Sequence, residues 1–494
     1  MNGNLSFGLW TLIASLLACG RGFGATPGGG EQDYYRLETY TLPPELKLEV
    51  SGLARLPDGR MAVAIRKGEI WILESTAELS QPRFTQFASG LHEPLGLAFH
   101  EGDLYTVQRT ELTRLRDRDG NGKADEYRSV ARGWGVTGNY HEYAYGPVFD
   151  TSGNAWLTLN CSIGRGTRPE DNAWRGWSIR VDRSGSWRPV SGGFRSPSGL
   201  GTNLRGDVFA TDQQGNWFPT CCLIHIQPGT FHGHADALQF TSLPEATFQL
   251  EKELPQGLSV VEAAAAIDAY QLPAVWFPYR KMGMSTTDLL CDDTAGAFGP
   301  FEGQFFVGEF TQSFVSRVFL ERVNGVYQGA CFRFREGLQS AALRLAWTED
   351  GALLVGESNR GWNSLGNRRF GLQRIVPTGR LPFEIKAMRA TSTGFQLEFT
   401  KAIGSDLDQG DVRFSISSYT YPYHAAYGGN EIEKRLLEIV SIRASHQRRD
   451  VELEVAGLRP GFVHELEISG LESSDGDSLL HATAYYTLNE IPVE

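Results

Sequence analysis

The chain has few sulfur-containing residues and no excess of basic ones. Of its 494 residues, six are cysteine and five are methionine, and the 58 acidic residues outnumber the 46 Lys and Arg, which gives a formal net charge of −12. The basic residues are scattered along the sequence. A nucleic-acid partner requires a basic stripe that neutralises phosphates, so the sequence predicts no such partner.

Long hydrophobic runs are absent after the first 20 residues, so we expect no membrane-spanning helix there. Residues 5–19 are apolar and are followed by small residues, which is typical of an export leader over residues 1–30. Two alternatives stay open: cleavage near Gly24–Ala25, or lipidation of Cys19 after the lipobox-like Leu16–Ala18. We expect an exported protein, periplasmic or extracellular, with a lipid anchor on Cys19 as its one route to a membrane.

Several catalytic motifs are also missing. The chain has no Cys-x-x-Cys-His for c-type haem and no Ser-x-x-Lys, Gly-x-Ser-x-Gly, His-Glu-x-x-His or Walker pattern. Hydrolase and nucleotide-binding functions therefore have no local support. Any electrons that leave this protein need an external acceptor. Apart from Cys19 there are five cysteines, an odd number, so an exported chain would keep at least one unpaired thiol.

A six-fold repeat is the strongest positive signal. A turn glycine followed by an apolar five-residue segment occurs as Gly59-RMAVA, Gly102-DLYTV, Gly153-NAWLT, Gly206-DVFAT, Gly303-QFFVG and Gly351-ALLVG. The glycines are separated by 43, 51, 53, 97 and 48 residues, and one four-stranded propeller blade takes about 40–50 residues. The sequence thus predicts an all-β fold, with a six-bladed β-propeller over residues 31–379.

The longest gap between the glycines indicates an insertion over residues 256–272. Ser259 and Glu262 have the spacing of a capping box, and the alanine-rich segment EAAAAIDAY follows. We expect a short helix at the rim between the fourth and fifth units, a position from which it can cover a central pocket.

The repeat ends at Ile375–Pro382, a boundary rich in Pro and Gly. About seven alternating segments follow, which predicts a separate immunoglobulin-like or fibronectin-like β-sandwich over residues 380–494. No catalytic constellation stands out there, and we expect a spacer or a binding module.

The repeat region resembles the glucose/sorbosone dehydrogenase-like propellers, the soluble quinoproteins. The resemblance covers roughly residues 40–379 and is carried by GLHEPLGLAFHEGDLYTVQRTELTRLRDRDGNGKADEY, GNYHEYAYGPVFDTSGNAWLTLN and GGFRSPSGLGTNLRGDVFATDQQGNW. The chain looks most similar to a planctomycete-type subgroup called membrane-bound dehydrogenases. The resemblance implies pyrroloquinoline quinone (PQQ) on one face of the propeller, a Ca²⁺ ion beside it, and oxidation of a sugar or polyol hydroxyl.

Three residues match the family's site positions. His141 in GNYHEYAYG takes the place of the catalytic base, and Arg195 in FRSPSGL that of a cofactor-binding arginine. Asp212 stands where the family has an acidic residue near the Ca²⁺ loop. His141 and Asp212 each have an alternative, purely structural interpretation. His141 would pack among neighbouring tyrosines, and Asp212 would cap a turn.

The chain departs from the family where cofactor-binding proteins carry further basic residues. Only Arg317 and Arg344 are available as substitutes, and Arg360-Gly-Trp362 and Arg368-Arg369 are candidates for the central mouth. Two other functions therefore stay open. One is a noncatalytic propeller that binds a carbohydrate or protein with an eroded cofactor site. The other is a metal-dependent lactonase, which needs Asp, Glu and Asn side chains meeting around one axial Ca²⁺.

Two segments suggest metal sites. The first has the spacing of an EF-hand loop, with Gly122 at the turn position and Arg128 in place of the final glutamate, and its ligand positions are Asp117, Asp119, Asn121, Lys123 and Asp125. It predicts a structural Ca²⁺ site, with a solvated turn as the alternative. The second offers transition-metal ligands, with packing as the alternative: His225, His232, His234, Asp236 and the pair Cys221-Cys222.

Overall fold

The structure is a computed structural model that describes residues 29–163, 173–250, 253–407 and 411–493. These residues form a nearly all-β protein that begins with helix α1 (Glu31–Tyr34) and strand β1 (Tyr35–Thr39). None of the described helices has the length and apolar character needed to cross a membrane. The predicted leader, with Cys19, lies outside the described residues.

The turn glycines of the repeat each precede the second strand of a four-stranded antiparallel sheet. Gly59 and Gly102 have φ of +84° and +92°, where glycine avoids the steric cost of a Cβ atom. The strands that follow them begin at Met61 and Asp103. The segments after all six glycines are strands, which confirms the repeat. We call the six sheets units 1 to 6.

Units 1 to 3 follow one another along the chain. Unit 1 contains β2 (Val50–Arg55), β3 (Met61–Ile65), β4 (Glu69–Leu73) and β5 (Phe84–Ala88). Unit 2 contains β6 (Leu97–His100), β7 (Asp103–Val107), β8 (Glu111–Arg116) and β9 (Glu126–Arg132). Unit 3 contains β10 (Ala144–Phe149), β11 (Ala155–Leu159), β12 (Trp177–Val181) and β13 (Trp187–Gly192).

Units 4 to 6 each show a departure from simple chain order. Unit 4 has an insertion before its last strand and contains β14 (Gly199–Thr202), β15 (Val208–Asp212), β16 (Cys221–His225) and β18 (Val275–Phe277). Unit 5 continues into the C-terminal region and contains β19 (Thr286–Cys291), β20 (Phe305–Glu309), β21 (Phe314–Val323) and β22 (Val326–Arg335). Unit 6 takes β1 as its fourth strand, beside β23 (Ala342–Trp347), β24 (Leu353–Ser358) and β25 (Phe370–Pro377).

The six units form a closed ring. The first strand of each unit contacts the first strand of the next, in the order β2, β6, β10, β14, β19, β23 and back to β2. Unit 6 combines both ends of the ring region, because Tyr35 in β1 pairs with Pro377 in β25 and Thr39 pairs with Gln373. Closure protects strand edges that would otherwise be exposed. The ring is consistent with the predicted propeller.

The insertion in unit 4 contains the 3-10 helix η1 (Ala235–Phe240), the short strand β17 (Leu258–Ser259) and helix α2 (Val260–Ala266). The predicted capping box is confirmed, since Ser259 Oγ accepts the Glu262 N–H and the Glu262 carboxylate accepts the Ser259 N–H. The idea that this helix covers a central pocket is wrong. Strand β17 pairs with Pro422 and Tyr423 of the C-terminal region, which holds the insertion away from the ring's central cavity.

The C-terminal region contains two antiparallel sheets around a shared apolar core. The first has the order β26 (Ile385–Ala390), β27 (Gly394–Phe399), β32 (Asp450–Val455) and β31 (Ile439–Ala444). The second has the order β34 (Thr483–Leu488), β33 (Phe462–Ser469), β28 (Arg413–Thr420) and β30 (Ile432–Leu437), and β29 (Pro422–Tyr423) follows β28 along the chain. The immunoglobulin-like topology stays a prediction.

The C-terminal region is joined to the ring by a shared sheet. Strand β34 pairs with the outer strand β22 of unit 5, with Ala330 opposite Tyr486, so one eight-stranded sheet runs through both regions. Phe319 and Phe332 of unit 5 belong to the same core as the two C-terminal sheets. The pairing of β22 with β34 covers an outer strand edge of each region, so the C-terminal region is not a detached spacer.

Candidate functional site

The ring encloses a cavity of about 610 Å³ at one face, which we call the central cavity. Its walls come from the beginnings of first strands, such as Ser51 and Arg344, and from the ends of second strands, such as Gln213 and Ser358. In antiparallel sheets these two places meet at the same edge, so each unit contributes to one mouth. The volume lies within the roughly 300–1,000 Å³ typical of small-molecule sites.

His141 lies on the wall of this cavity, in the connection between β9 and β10. Its backbone N–H donates to Asn139 Oδ1 over 3.0 Å, and within the described ranges neither ring nitrogen is hydrogen-bonded. Burial lowers the pKa of the His141 imidazole, and the nearby Arg195 and Arg109 lower it further. His141 is therefore neutral near pH 7 and can accept a proton.

Arg195 lies on the same wall and is only 7% exposed. Its side chain passes over Gly215, where a Cβ atom would lie 1.8 Å from Nε. The guanidinium stacks on the Tyr427 ring, 5.4 Å from the centroid. In the part of the chain that the structure describes, Nε has no hydrogen-bond partner and no carboxylate pairs with the guanidinium. A buried guanidinium that no carboxylate contacts directly can bind an anionic ligand.

Asp212 holds Arg195 in place and does not itself line the cavity. Its carboxylate accepts the backbone N–H groups of Arg195 and Ser196, both over 2.8 Å, and that of Gln213 over 2.7 Å. Complete burial raises the pKa of Asp212 to about 6. The N–H groups of its own turn occupy the Asp212 carboxylate, and a contact of Asp212 with a cofactor or a Ca²⁺ ion stays a prediction.

Arg344 also lines the cavity, as the sequence predicts for a residue of the site. Unlike Arg195, it is engaged by the protein: Nε donates to the Ser51 carbonyl over 2.8 Å and Nη1 to the Ser198 carbonyl over 3.1 Å. Its guanidinium lies 5.1 Å from the centre of the Tyr145 ring. Arg344 therefore joins units 1, 4 and 6 beneath the cavity and adds positive charge to its floor.

Two further arginines lie at the mouth of the central cavity. Arg66 pairs with Glu93 over 3.0 Å, and Arg360 pairs with Glu49 over 2.8 Å. Glu49 is the one carboxylate on the described cavity wall. The wall thus carries four arginines and one glutamate. The converging acidic ligands that a lactonase would need are not found on this described wall.

Arg317 is not part of the site, which corrects its assignment as a cofactor-binding residue. It is fully buried between unit 5 and the C-terminal region, where Nη2 donates to the Ile385 carbonyl over 2.7 Å and Nη1 to the Lys386 carbonyl over 2.9 Å. The rings of Phe301 and Phe332 lie on either side, 4.1 and 4.2 Å from the guanidinium. Arg317 stabilises the junction between the two regions. Arg368 and Arg369 are exposed and also lie off the cavity wall.

The EF-hand-like loop joins β8 and β9, the two outer strands of unit 2. It lies away from the central cavity. Carboxylate oxygens of Asp117, Asp119 and Asp125 lie within 4.8 Å of one another. Asp117 accepts the N–H groups of Gly120 and Gly122, both over 2.8 Å. The loop backbone therefore gathers the predicted oxygen ligands, as a Ca²⁺ loop requires. The Lys123 and Asn121 positions are exposed parts of the same turn.

The second predicted metal segment forms a different cluster. His234 and Asp236 meet Cys161 of unit 3, with Cys161 Sγ 3.9 Å from His234 Nε2. His234 Nδ1 accepts the Asp236 N–H, which puts the ring proton on Nε2, the nitrogen that would have to bind a metal. The arrangement favours a buried hydrogen-bonded network. The five cysteines of the described chain are all buried thiols.

Sequence reasoning missed Tyr427, which reaches the mouth from the C-terminal region. No local pattern marks it, because its place depends on how that region docks on unit 4. Trp362 and Arg360, in contrast, line the mouth as their position after a second strand suggests.

Residues 57–330 match the family described as a domain of unknown function (DUF7133). This match spans more than half of the chain, and the chain belongs to that family. No curated protein matches the sequence.

Solved structures are similar to part of the chain. A proposed oxidoreductase (glucose dehydrogenase) from Thermus thermophilus is 20% identical with a TM-score of 0.49, covering 69% of this chain and 100% of that one. The PQQ-bound aldose sugar dehydrogenase from Streptomyces coelicolor is 18% identical with a TM-score of 0.45, covering 69% and 98%. The apo soluble aldose sugar dehydrogenase from Escherichia coli is 16% identical with a TM-score of 0.44, covering 69% and 99%. At such values the likeness carries no information on ligand or activity.

Proposed function

We propose that this protein is an exported dehydrogenase of sugars or polyols that uses PQQ in the central cavity. One observation carries the proposal: the buried Arg195 guanidinium, which has no anionic partner within the described ranges, lies on the same cavity wall as the neutral imidazole of His141. This pair offers an anchor for an anionic cofactor beside a base for a hydroxyl proton. The sequence resemblance to the glucose/sorbosone dehydrogenase-like propellers supports the same chemistry.

The wall is complementary to PQQ in charge. Four arginines against one glutamate give a positive surface, which complements a tricarboxylate cofactor. The absence of a side chain at Gly215 leaves the space that Arg195 needs to reach the cavity. Arg195 would hold a carboxylate of the cofactor directly, while Arg344 would contribute mainly through its charge, since its Nε and Nη1 already donate to carbonyl oxygens of the protein.

The chain's own residues define the proton step. His141 accepts the proton of the substrate hydroxyl on a ring nitrogen, and its lowered pKa keeps that nitrogen unprotonated at neutral pH. The positive charge of Arg195 favours the developing alkoxide. PQQ, when bound, supplies the acceptor for the hydride that leaves the hydroxyl-bearing carbon. His141 then releases its proton to solvent at the open mouth, and an external acceptor takes the electrons.

We also propose that the loop from Asp117 to Asp125 holds a structural Ca²⁺ ion. The gathered carboxylates and the EF-hand spacing support this. The ion would stabilise the outer hairpin of unit 2 and would take no part in the chemistry.

A noncatalytic binding protein is the second candidate, and one observation favours it. Three of the four cavity arginines are already engaged, Arg66 by Glu93, Arg360 by Glu49 and Arg344 by carbonyl oxygens. A wall of this kind can bind a ligand even when the protein holds no cofactor.

Calorimetric titration with PQQ in the presence of Ca²⁺ separates the two candidates. We expect micromolar or tighter binding that Arg195→Ala weakens by about 10- to 100-fold, the effect of losing one charge-assisted contact. Arg205→Ala is the matched control, because Arg205 is an exposed arginine in the β14–β15 turn at the opposite face of the same unit.

His141→Ala should retain PQQ binding and lose dye-linked oxidation of sugars. If the wild-type protein shows no PQQ binding at high concentration, the dehydrogenase proposal is wrong and the binding protein is the remaining candidate.

A further inference from the structure

Exposed aromatic side chains surround the mouth of the central cavity. Tyr140 is 48% exposed, Trp362 is 64% exposed and Tyr427 is 65% exposed, and all three line the cavity. Large apolar surfaces grouped at a cavity are typical of a binding site, because a ligand removes them from water.

Tyr427 is held in place by the ring although it belongs to the C-terminal region. Asn216 of unit 4 donates to the Ala425 carbonyl over 2.8 Å. The Trp217 N–H donates to the His424 carbonyl over 3.2 Å, and the Gly428 N–H donates to the Gly215 carbonyl over 2.9 Å. Hydrogen bonds to the backbone on both sides of Tyr427 therefore fix its direction at the mouth.

Trp362 reaches the mouth from unit 6. It follows β24, yet its ring lies 6.3 Å from that of His141 in the connection between units 2 and 3, with 31° between their planes. Neither of these units is a neighbour of unit 6 in the ring, so the loop that carries Trp362 extends over the cavity. Gly361 permits this approach, since a Cβ atom there would lie 3.0 Å from the Tyr140 hydroxyl.

Each exposed ring adjoins one member of the proposed reactive pair. Trp362 lies beside His141, and Tyr427 lies over Arg195. A pyranose ring presents a face of C–H groups that stacks on an aromatic ring, while its hydroxyls bind neutral polar groups. Asn363 and Gln213 supply such groups on the same wall.

We propose that Trp362 and Tyr427 are stacking positions for different sugar rings of one chain, so that the site takes the end of an oligosaccharide or polysaccharide rather than a free monosaccharide. This inference rests on the proposed function for its assignment of sugar as the substrate class. The C-terminal region then completes the substrate site, and Tyr427 is its specificity-determining residue.

The test measures sugar binding without PQQ, by calorimetry and by Trp fluorescence. The probes are glucose, cellobiose and cellotetraose, with maltose and maltotetraose as the second linkage. We expect one of the two tetrasaccharides to bind the wild-type protein at least about tenfold more tightly than glucose, since each tetrasaccharide can fill both stacking positions and glucose only one.

Trp362→Ala and Tyr427→Ala should each weaken tetrasaccharide binding about five- to tenfold, whereas glucose, which fills one position, should be weakened by only one of the two substitutions. Tyr427→Phe should retain the wild-type affinities, because the ring and not the hydroxyl stacks. Leu436→Ala is the matched control, a change at an exposed apolar residue on strand β30 that is not part of the cavity wall.

Equal affinities for glucose and both tetrasaccharides, no measurable sugar binding, or unchanged tetrasaccharide binding in Tyr427→Ala would each overturn the inference. The outcome is independent of the cofactor test. A dependence on chain length in a protein that does not bind PQQ would retain the sugar-chain site and reject the dehydrogenase, whereas PQQ binding without a dependence on chain length would do the reverse.

Discussion

Two regions of the molecule, the junction between the ring and the C-terminal region and the central cavity, each contain a histidine and an arginine in contrasting electrostatic surroundings. At the junction, His481 Nδ1 lies 2.7 Å from Glu384 and Nε2 lies 3.0 Å from Glu31. Burial disfavours the charged imidazole, but the two carboxylates outweigh it and raise the pKa of His481 to about 9. In the cavity, burial and Arg195 lower the pKa of His141. One histidine is an ion-pair partner and the other is the proposed base.

The two arginines show the same contrast. Arg317 at the junction donates to carbonyl oxygens and lies between two aromatic rings, whereas Arg195 in the cavity lacks comparable partners among the described residues. Burial by itself therefore does not define a role. What distinguishes stability from function is whether the protein itself satisfies the buried charge.

The largest effect is expected for Arg317→Ala. Removing a fully buried guanidinium leaves carbonyl oxygens unsatisfied and a void between two rings, so we expect the free energy of unfolding to fall by about 3–5 kcal/mol. Urea unfolding measures this, and the affinity for PQQ should stay within about twofold. A loss below about 1 kcal/mol would contradict the structural role of Arg317.

A pH-dependent effect is expected for His481. Its pKa in the folded protein, about 9, exceeds the unfolded value, so its contribution is complete below about pH 6.5 and disappears as the pH rises through 9. We expect about 3 kcal/mol of stability to be lost over that window. Urea unfolding at pH 6.5 and 9.5 tests this, and His481→Gln should reduce the difference between the two. Equal pH dependence in both proteins would show that the ion pairs are not coupled to folding.

Calcium should stabilise the loop of unit 2. At free Ca²⁺ of about 100 times the dissociation constant, linkage predicts a gain of about 2.7 kcal/mol relative to chelator-treated protein. Asp119→Ala should abolish the gain in thermal unfolding, because it removes the oxygen ligand at the third position of the loop, where an asparagine would still supply one. Asp182→Ala, in the β12–β13 turn of unit 3, is the matched control, since Asp182 accepts hydrogen bonds from its own turn. A Ca²⁺ effect that survives Asp119→Ala would place the ion elsewhere.

The smallest effect on stability is expected for Arg195→Ala. Because the guanidinium makes no hydrogen bond within the described ranges, we expect the free energy of unfolding to change by less than about 1 kcal/mol while PQQ binding weakens. Thermal unfolding of the variant alone measures the first quantity. A loss as large as that of Arg317→Ala would mean that Arg195 is a structural residue, and the contrast between the two regions would fail.

The sequence by itself determined the repeated sheets and the capping box at Ser259, and its resemblance to a known family indicated that His141 and Arg195 belong to one site. The sheets and the capping box depend on short-range properties, namely apolar alternation, turn glycines and capping residues, and the resemblance rests on short motifs. They are visible within a window of a few dozen residues.

Only the tertiary structure decided the roles that depend on distant partners. Strand β1 closes the ring through pairs such as Tyr35 and Pro377, Arg317 finds its acceptors at Ile385 and Lys386, and Tyr427 arrives at a cavity wall built by residues far earlier in the chain, such as Asn216. The physical reason is that a side chain's chemistry is set by the atoms packed around it, and here those atoms come from segments far apart in the chain.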